Sequence, residues 1–461
     1  MAFYEGAKHT RRTRGWLASN TGPNTEISSA IATLRNRHRD LARNNPWARR
    51  AIQAVVTNTI GTGIRAQWQD QTAQALWSEW WESPACDADG RHDGYGIEAA
   101  ILRACVEGGE TLVRRRPRRA DSGLPVPLQI QVLEPDFFDQ GKNAQAGKGQ
   151  RRIVQGVEFD RLGQRVGYWL HSDHPGEQLS ARGYSSKRYN AADFAHVFRQ
   201  DRPGQVHGVP WGTGAMTRLK MLDDYQDAQL ERQRLAACYM GFRRVPDPAL
   251  TDGKHSLDEY TLLEKLEPGA IDDLPPGWDI DFATPPQPED DKDFLLAVLR
   301  AVAADYGIPY EILTGDLSEV NFSSARMGWN EFSRNIDTWR WQMLIPQALA
   351  PIVGWFREAA SLVGVPIQQE QPLWTAPART MVDSTKEVPA LIKAVRAGLL
   401  SMPEAIRQQG YDPDVLLAEQ ADWLAKLTAA GVLLDTDPRA DVARQSDQEA
   451  ITEVPDANEP E

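Results

Sequence analysis

Between residues 322 and 343 apolar side chains recur at alternating intervals of three and four: Phe322, Ala325, Trp329, Phe332, Ile336, Trp339 and Met343. That spacing lays one unbroken apolar seam along a helix, with Arg326, Asn330, Arg334, Asp337 and Arg340 on its polar side. Pro346 and Pro351 follow, and predict a kink at its end. Immediately upstream the pattern stops. The stretch "LTGDLSEVNFSS" (313–324) carries Gly315, Asp316, Ser318, Glu319, Asn321, Ser323 and Ser324. Side chains this short and this well solvated build no core, so a loop is predicted, with Ser323 or Ser324 as the N-cap of the helix.

The same reading extends along the chain. Residues 1–27 read as a flexible arm, and a helix is predicted from about Ser28 with Ile31, Leu34 and Leu41 among arginines. A second helix has Asn45 as N-cap, Pro46 at its first position and Gly61 as its stop. "TAQALWSEWWES" and "YGIEAAILRACVEGG" predict two more helices, the latter turning at Gly108-Gly109 into a strand. From 127 to 199 the period drops to two in "LQIQVL", "IVQGVEFD", "VGYWLHS" and "FAHVFR", which predicts a β-rich stretch. The fold class is therefore α+β.

A helix over 213–239 starts amphipathic, with Met216, Leu219 and Leu222, and then becomes charged nearly all round: Asp223, Asp224, Asp227, Glu231, Arg232 and Arg234. A helix polar on every face needs outside partners, either solvent or copies of itself. Residues 243–290 hold eight prolines, and Trp278, Ile280 and Phe282 alternate with aspartates as a short strand in a proline-bounded module. A helix opening at Asp290 ends at Gly307, where Pro309 forbids continuation. Two or three small helices are expected in 385–434. The acidic segment 435–461 is expected to be disordered.

Size and charge narrow the field. A chain of 461 residues with 41% hydrophobic and 25% charged positions has room for two or three domains of ordinary soluble character. No run approaches the roughly 20 apolar residues that span a bilayer, so no membrane partner is expected. The early Lys8, Arg11, Arg12 and Arg14 lack the apolar run of a secretory signal. Three widely spaced cysteines suit a reducing cytoplasm. The net charge of −13 is uneven: residues 1–50 carry ten Lys/Arg against three Asp/Glu, and 435–461 carry nine Asp/Glu against two Arg. Such a protein would hold nucleic acid weakly, because affinity comes mainly from neutralising phosphates.

Candidate chemistry is thin. "GKNAQAGKG" (141–149) is one residue too long for a phosphate loop and has Gly149 where Ser or Thr must stand. The glycines of "WGTGAMTR" (211–218) read as a turn before a helix. His171 and His174 read as surface residues, and Asp223-Asp224 and Asp272-Asp273 as solvated pairs on a helix and in a turn. The arginines of 114–119 suit either phosphate binding or a β-edge that meets a neighbouring subunit's acids. No catalytic residue, cofactor or metal is expected.

Six strings in this order resemble the lambda-type bacteriophage portal proteins: "NNPWARRAIQAVVTNTIGTGI" (44–64), "LEPDFFD" (133–139), "GVEFDRLGQRVGYWL" (156–170), "FRQDRPGQVHGVPW" (198–211), "LDDYQDAQLERQRLAA" (222–237) and "YEILTGDLSEVNFSSARMGWNEFSRNI" (310–336). The resemblance implies a ring of identical subunits, usually a dodecamer, at one capsid vertex, assembled in the host cytoplasm. Double-stranded DNA would pass through it, and terminase, neck and head-completion proteins, the major capsid protein and scaffold would be its partners. It also implies a wing over 28–212, stem helices over 213–242 and 291–307, a clip over 243–290, a tunnel loop over 308–324, a long wing-to-channel helix with its linker over 325–384, and a crown over 385–434. Gly315, Asp316, Ser318, Glu319, Asn321, Ser323 and Ser324 would then face the channel. Phe322, Trp329, Phe332, Ile336 and Trp339 would anchor them, and the charged positions 223–234 would belong to the stem. A different non-enzymatic virion scaffold or adaptor, or an enzyme of unfamiliar type, remain as alternatives.

Overall fold

Proline and asparagine set the first two helices. Pro23, with its φ already helical, starts α1 (Pro23–Asn44) upstream of the expected Ser28 and shortens the arm. Asn45 ends α1 and caps α2 (Pro46–Ile60), its Oδ1 accepting the Ala48 N–H at 2.8 Å. Gly61, at φ +53, closes α2 as expected. The computed structural model describes residues 4, 7–8, 10–16, 18–147, 151–177, 185–237, 241–244, 271–274, 291–318, 322–368, 371–379, 381, 383–432 and 434. They fall into two compact units, the first of residues 1–63 with 70–370, the second of 64–69 with 371–461.

The chain continues through β1 (Arg65–Gln67), α3 (Gln71–Trp81), α4 (Gly94–Gly108), β2 (Glu110–Pro117) and β3 (Leu128–Leu133). Then come β4 (Arg152–Val154), β5 (Val157–Phe159), β6 (Arg165–His171), β7 (Ser186–Asn190) and β8 (Phe194–Phe198). In the first unit β2 runs antiparallel between β3 and β8, while β4 to β7 form a second antiparallel sheet in chain order. The β-rich expectation is met, with one difference: β7, "SKRYN", is too polar to show alternation. β2 is a middle strand only as far as Arg114; at Arg115 and Arg116 it is paired with β3 alone. Arg115 reaches Glu358 of its own chain at 2.7 Å.

Leu112, Leu133, Phe138, Val157, Tyr168, Leu170 and Phe194 form an apolar core drawn from both sheets. A second aromatic nucleus joins Trp77, Trp80 and Trp81 of α3 to Phe356, with ring centroids between 4.9 and 5.5 Å apart. Several of the tryptophans are thus core.

The helical remainder of this unit comprises α5 (Met216–Ala237), α6 (Asp291–Tyr306), the short α7 (Tyr310–Thr314), α8 (Phe322–Thr338) and α9 (Ala350–Leu362). Between α5 and α6, β9 (Gly241–Arg244) pairs in parallel with β10 (Ile271–Leu274). Asp272 and Asp273 therefore lie on a strand and not in a turn. The strand expected at Trp278–Phe282 lies outside the described residues, as does the acidic tail beyond 434.

The second unit contains β1 paired antiparallel with β11 (Leu373–Thr375), then α10 (Ser384–Arg396), α11 (Met402–Gln408) and α12 (Pro413–Ala430). Three helices match the expectation for 385–434. Neither α10 nor α12 buries a single side chain, and Leu399, Leu417 and Trp423 are 83%, 66% and 57% exposed.

The first unit is locked by a fully buried ion network. Glu110 of β2 accepts from Arg35 of α1, from His196 Nε2 of β8 at 2.8 Å, from His207 Nδ1 at 2.9 Å and from the Gly208 N–H at 3.0 Å. Burial pushes the Glu110 carboxyl up, but His207, Arg35 and the two histidine hydrogen bonds outweigh it and hold it well below the usual range. His196 is driven down to about 4 by burial, opposed by its bond to Glu110, and its Nδ1 takes a hydrogen bond from Arg165 at 2.8 Å. Both depressed groups contribute stability that is complete above their unfolded values and lost as pH falls through the folded ones. Thermal unfolding should therefore show a melting point falling between pH 6.5 and about 4. Glu110→Gln leaves Arg35 buried without its counter-charge and should cost about 3–5 kcal/mol. A flat pH profile would contradict this account.

Candidate functional site

The loop begins where α7 ends. Gly315 takes the left-handed conformation at φ +74 that glycine adopts without steric cost, and its N–H returns to Glu311 O at 2.8 Å. Asp316 Oδ1 then accepts the Ser318 N–H at 3.0 Å, an Asx turn. The Ser318 backbone and hydroxyl bonds hold the Asp316 carboxyl below its ordinary value. The loop is shorter than the expected 308–324, because Tyr310–Thr314 is helical and α8 already starts at Phe322. Ser323 and Ser324 sit in the first turn of α8, neither in the loop nor at the cap. Asn321, immediately before Phe322, is a capping residue type of equal rank. Glu319 and Asn321 lie outside the described residues. Leu317, a lone leucine among short polar residues, also belongs to the loop and is 67% exposed beside Asp316 and Ser318.

The anchoring seam is as expected where it is described. Phe332, Ile336, Trp339 and Met343 are buried, and Trp329 is half-buried with its ring 6.0 Å from Phe332. Trp339 packs against Trp211 with ring centroids 4.9 Å apart and tilted at 53°, and Asn335 Nδ2 donates to Gly307 O at 3.1 Å. Downstream the helix does not simply kink. Residues Trp339–Leu349 wind as a π-helix that contains Pro346, while Pro351 lies in the first turn of α9. The wider winding suits a residue that has no N–H and that crowds the carbonyl four positions back. Three polar ties hold this part down. Buried Arg340 donates to Thr59 O at 2.6 Å and Asn58 O at 3.1 Å, at the C-terminus of α2. Gln347 Oε1 accepts the Phe198 N–H at 3.0 Å, and Trp355 Nε1 donates to Ala192 O at 3.0 Å.

The glycines of "WGTGAMTR" serve packing. A Cβ on Gly212 would fall 2.2 Å from the Tyr306 hydroxyl, and one on Gly214 would fall 2.6 Å from Asp305. The gap lets the start of α5 meet the end of α6, where the Ala215 N–H donates to Asp305 at 2.9 Å. Tyr306 in turn bonds His38 of α1 at 2.6 Å. Burial lowers the His38 pKa, consistent with a neutral ring that donates from Nδ1 to Glu107 O and accepts from Tyr306. Part of the α5 charge is met within the chain: Asp223 by Asn45 at 2.7 Å, Asp224 by Lys220 at 2.8 Å, and Glu231 by Arg234 at 3.7 Å. Asp227 and Arg232 lie along the same helix.

Among the described residues two groups bring metal-type ligands together, Glu110 with His196 and His207, and Glu134 with Asp136 and His174. An arginine already occupies the carboxylates of each, Arg35 in the first and Arg39 in the second. Both are ion-pair networks. No helix among the described residues is long and apolar enough to cross a membrane.

The family model of phage portal proteins, lambda family, matches residues 9–340. The chain belongs to the lambda family of phage portal proteins. It is 25% identical to the probable portal protein of Halomonas phage phiHAP-1, over 93% of this chain and 87% of that one. Identity to portal protein B of Escherichia phage lambda is 23%, over 91% and 89%. Among solved structures it is similar to the neck of a native gene transfer agent particle computed with C12 symmetry, at 15% identity and a TM-score of 0.43, covering 81% of this chain and 93% of that one. The virion of the native gene transfer agent gives 14% and 0.43, covering 86% and 95%. As a family member the chain is a portal protein, a structural virion component at the head–tail connection.

Phe332 is the pivot of the anchoring seam. Phe332→Ala should cost about 3–5 kcal/mol. Amide exchange at 310–318 should accelerate with it, while exchange in α3 stays unchanged. Equal protection of 310–318 in variant and parent would show that the seam does not support the loop.

Proposed function

We propose that copies of this portal protein close into a ring, and that each contributes the loop after Gly315 to a central passage for double-stranded DNA. The observation that carries this reading is the pairing of an exposed turn with a tightly held base. Gly315, Leu317 and Ser318 are exposed, whereas the helix behind them is fixed by Phe332, Trp339 and Arg340. A surface that touches a moving polyanion must bind it weakly. Ser318 and Asn321 offer hydrogen bonds that exchange with water, and Asp316, kept anionic by its Asx turn, repels phosphate. Lysines at the same positions would act as a brake.

In this reading residues 28–212 form the wing, α5 and α6 the stem, 243–290 the clip, and 385–434 the crown. The exposed charges of α5 at Asp227, Glu231 and Arg234, with the half-buried Arg232 among them, meet neighbouring copies, and the clip meets terminase and neck proteins. Capsid and scaffold proteins surround the ring, which assembles in the host cytoplasm. The reading assigns the chain no reaction.

Negative-stain images of the purified protein should show closed rings. Ser318→Lys with Asn321→Lys should leave those rings intact and lower both the DNA content of particles and their titre. Normal titre and full heads from the double variant would remove the loop from the channel.

A further inference from the structure

The wing contains a pocket that the portal role leaves unexplained. It measures about 210 Å³ and lies between the two sheets of the first unit, with Arg114 and Arg116 of β2, Gln131 of β3, His171 of β6 and Tyr189 of β7 on its walls. The strand period explains the arginines. Positions 114 and 116 point to one face of β2, while Arg115 points to the other and meets Asp193 and Glu358. Pairing with β3 sets Gln131 directly opposite Arg114.

The pocket's charge is unbalanced. No carboxylate among the described residues lies within ion-pair distance of Arg114 or Arg116. Arg114 lies instead over the rings of Tyr189 at 4.9 Å and Phe194 at 5.6 Å. Burial and the neighbouring Arg116 depress its pKa, against a smaller opposing pull from Asp193 and from Tyr189, which also hydrogen-bonds it; an anion between the two guanidiniums would relieve the remaining cost. Gln131 Oε1 is buried without a hydrogen-bond partner. Its amide can turn either end to a guest. Phe137 and Leu170 line the same space and lower the local dielectric, which strengthens any charge pairing inside.

We propose that this pocket binds a single oxyanionic group, a phosphate or a carboxylate, held between the guanidiniums of Arg114 and Arg116 with the Tyr189 hydroxyl and Gln131 amide as neutral partners. Planar, forked guanidiniums match such an anion closely. Its size admits one such group and excludes a duplex, so the site is separate from DNA passage. One carboxylate source is carried by the chain itself, in the nine Asp/Glu of residues 435–461.

Calorimetric titration of inorganic phosphate into the full-length protein should give saturable binding at one site per chain. Arg116→Gln should weaken it about tenfold or more, and Ser172→Ala, at an exposed position of the rim, should weaken it less. Melting points matching the parent's establish that both variants are folded. A synthetic peptide of residues 435–461 added in competition separates the sources. Displacement of phosphate assigns the pocket to the tail, and binding of phosphate alone assigns it to a phosphate group from elsewhere. Absence of saturable binding by both probes, or binding unaltered in folded Arg116→Gln and Arg114→Gln, overturns the proposal.

Discussion

A buried cation, Arg340, is the charged tie between the anchoring helix and the end of α2. Its guanidinium is almost fully desolvated, a costly state unless strong acceptors replace water. The replacements are the carbonyls of Asn58 and Thr59, at the end of α2 where the aligned peptide dipoles leave partial negative charge. The helix therefore cannot turn about its axis or slide along α2 without stranding a buried charge. Apolar packing alone is tolerant of such sliding; a directional tie is not. The seam of Phe332, Ile336 and Trp339 contributes affinity, and Arg340 sets the register in which that affinity is used.

The same division of labour recurs at Glu110. Apolar contacts between the two sheets supply most of the burial, while Glu110 gathers side chains from α1, β8 and the 205–208 segment around one carboxylate. His38 and Tyr306 do for the α6 terminus what Glu110 does for the sheets, using neutral partners in place of charged ones. Each polar knot stands where elements distant in sequence meet, so each makes one arrangement of otherwise interchangeable greasy faces preferable to its neighbours.

What could be read from the sequence followed from locality. The period of three and four exposed the seam, and Asn45, Gly61 and Gly307 marked helix ends because capping is decided within a few residues. The strands of 127–199 were legible where one face was apolar, and β7 was not because its residues are polar on both. Glu110 gave no signal, since its partners Arg35, His196 and His207 lie tens of residues away and each looks ordinary alone. The π-helical stretch was also hidden. Pro346 advertised a break, but whether the chain kinks or widens is settled by neighbours such as Phe198, whose amide Gln347 accepts. At the loop, Asn321, Ser323 and Ser324 are all capping types, and composition could not say which one stands first. That β2 is paired on both sides as far as Arg114 was hidden too, because its partner β8, about eighty residues downstream, is invisible to a local pattern.

The bare helices of the second unit have a consequence for the life of the free chain. Leu399, Leu417 and Trp423 meet water in a lone copy, and patches of this kind cluster nonspecifically as readily as they dock. A free chain is thus an aggregation hazard whose rate climbs with its concentration. Covering those side chains must outrun clumping, so the tempo of synthesis becomes as decisive for yield as the strength of any contact.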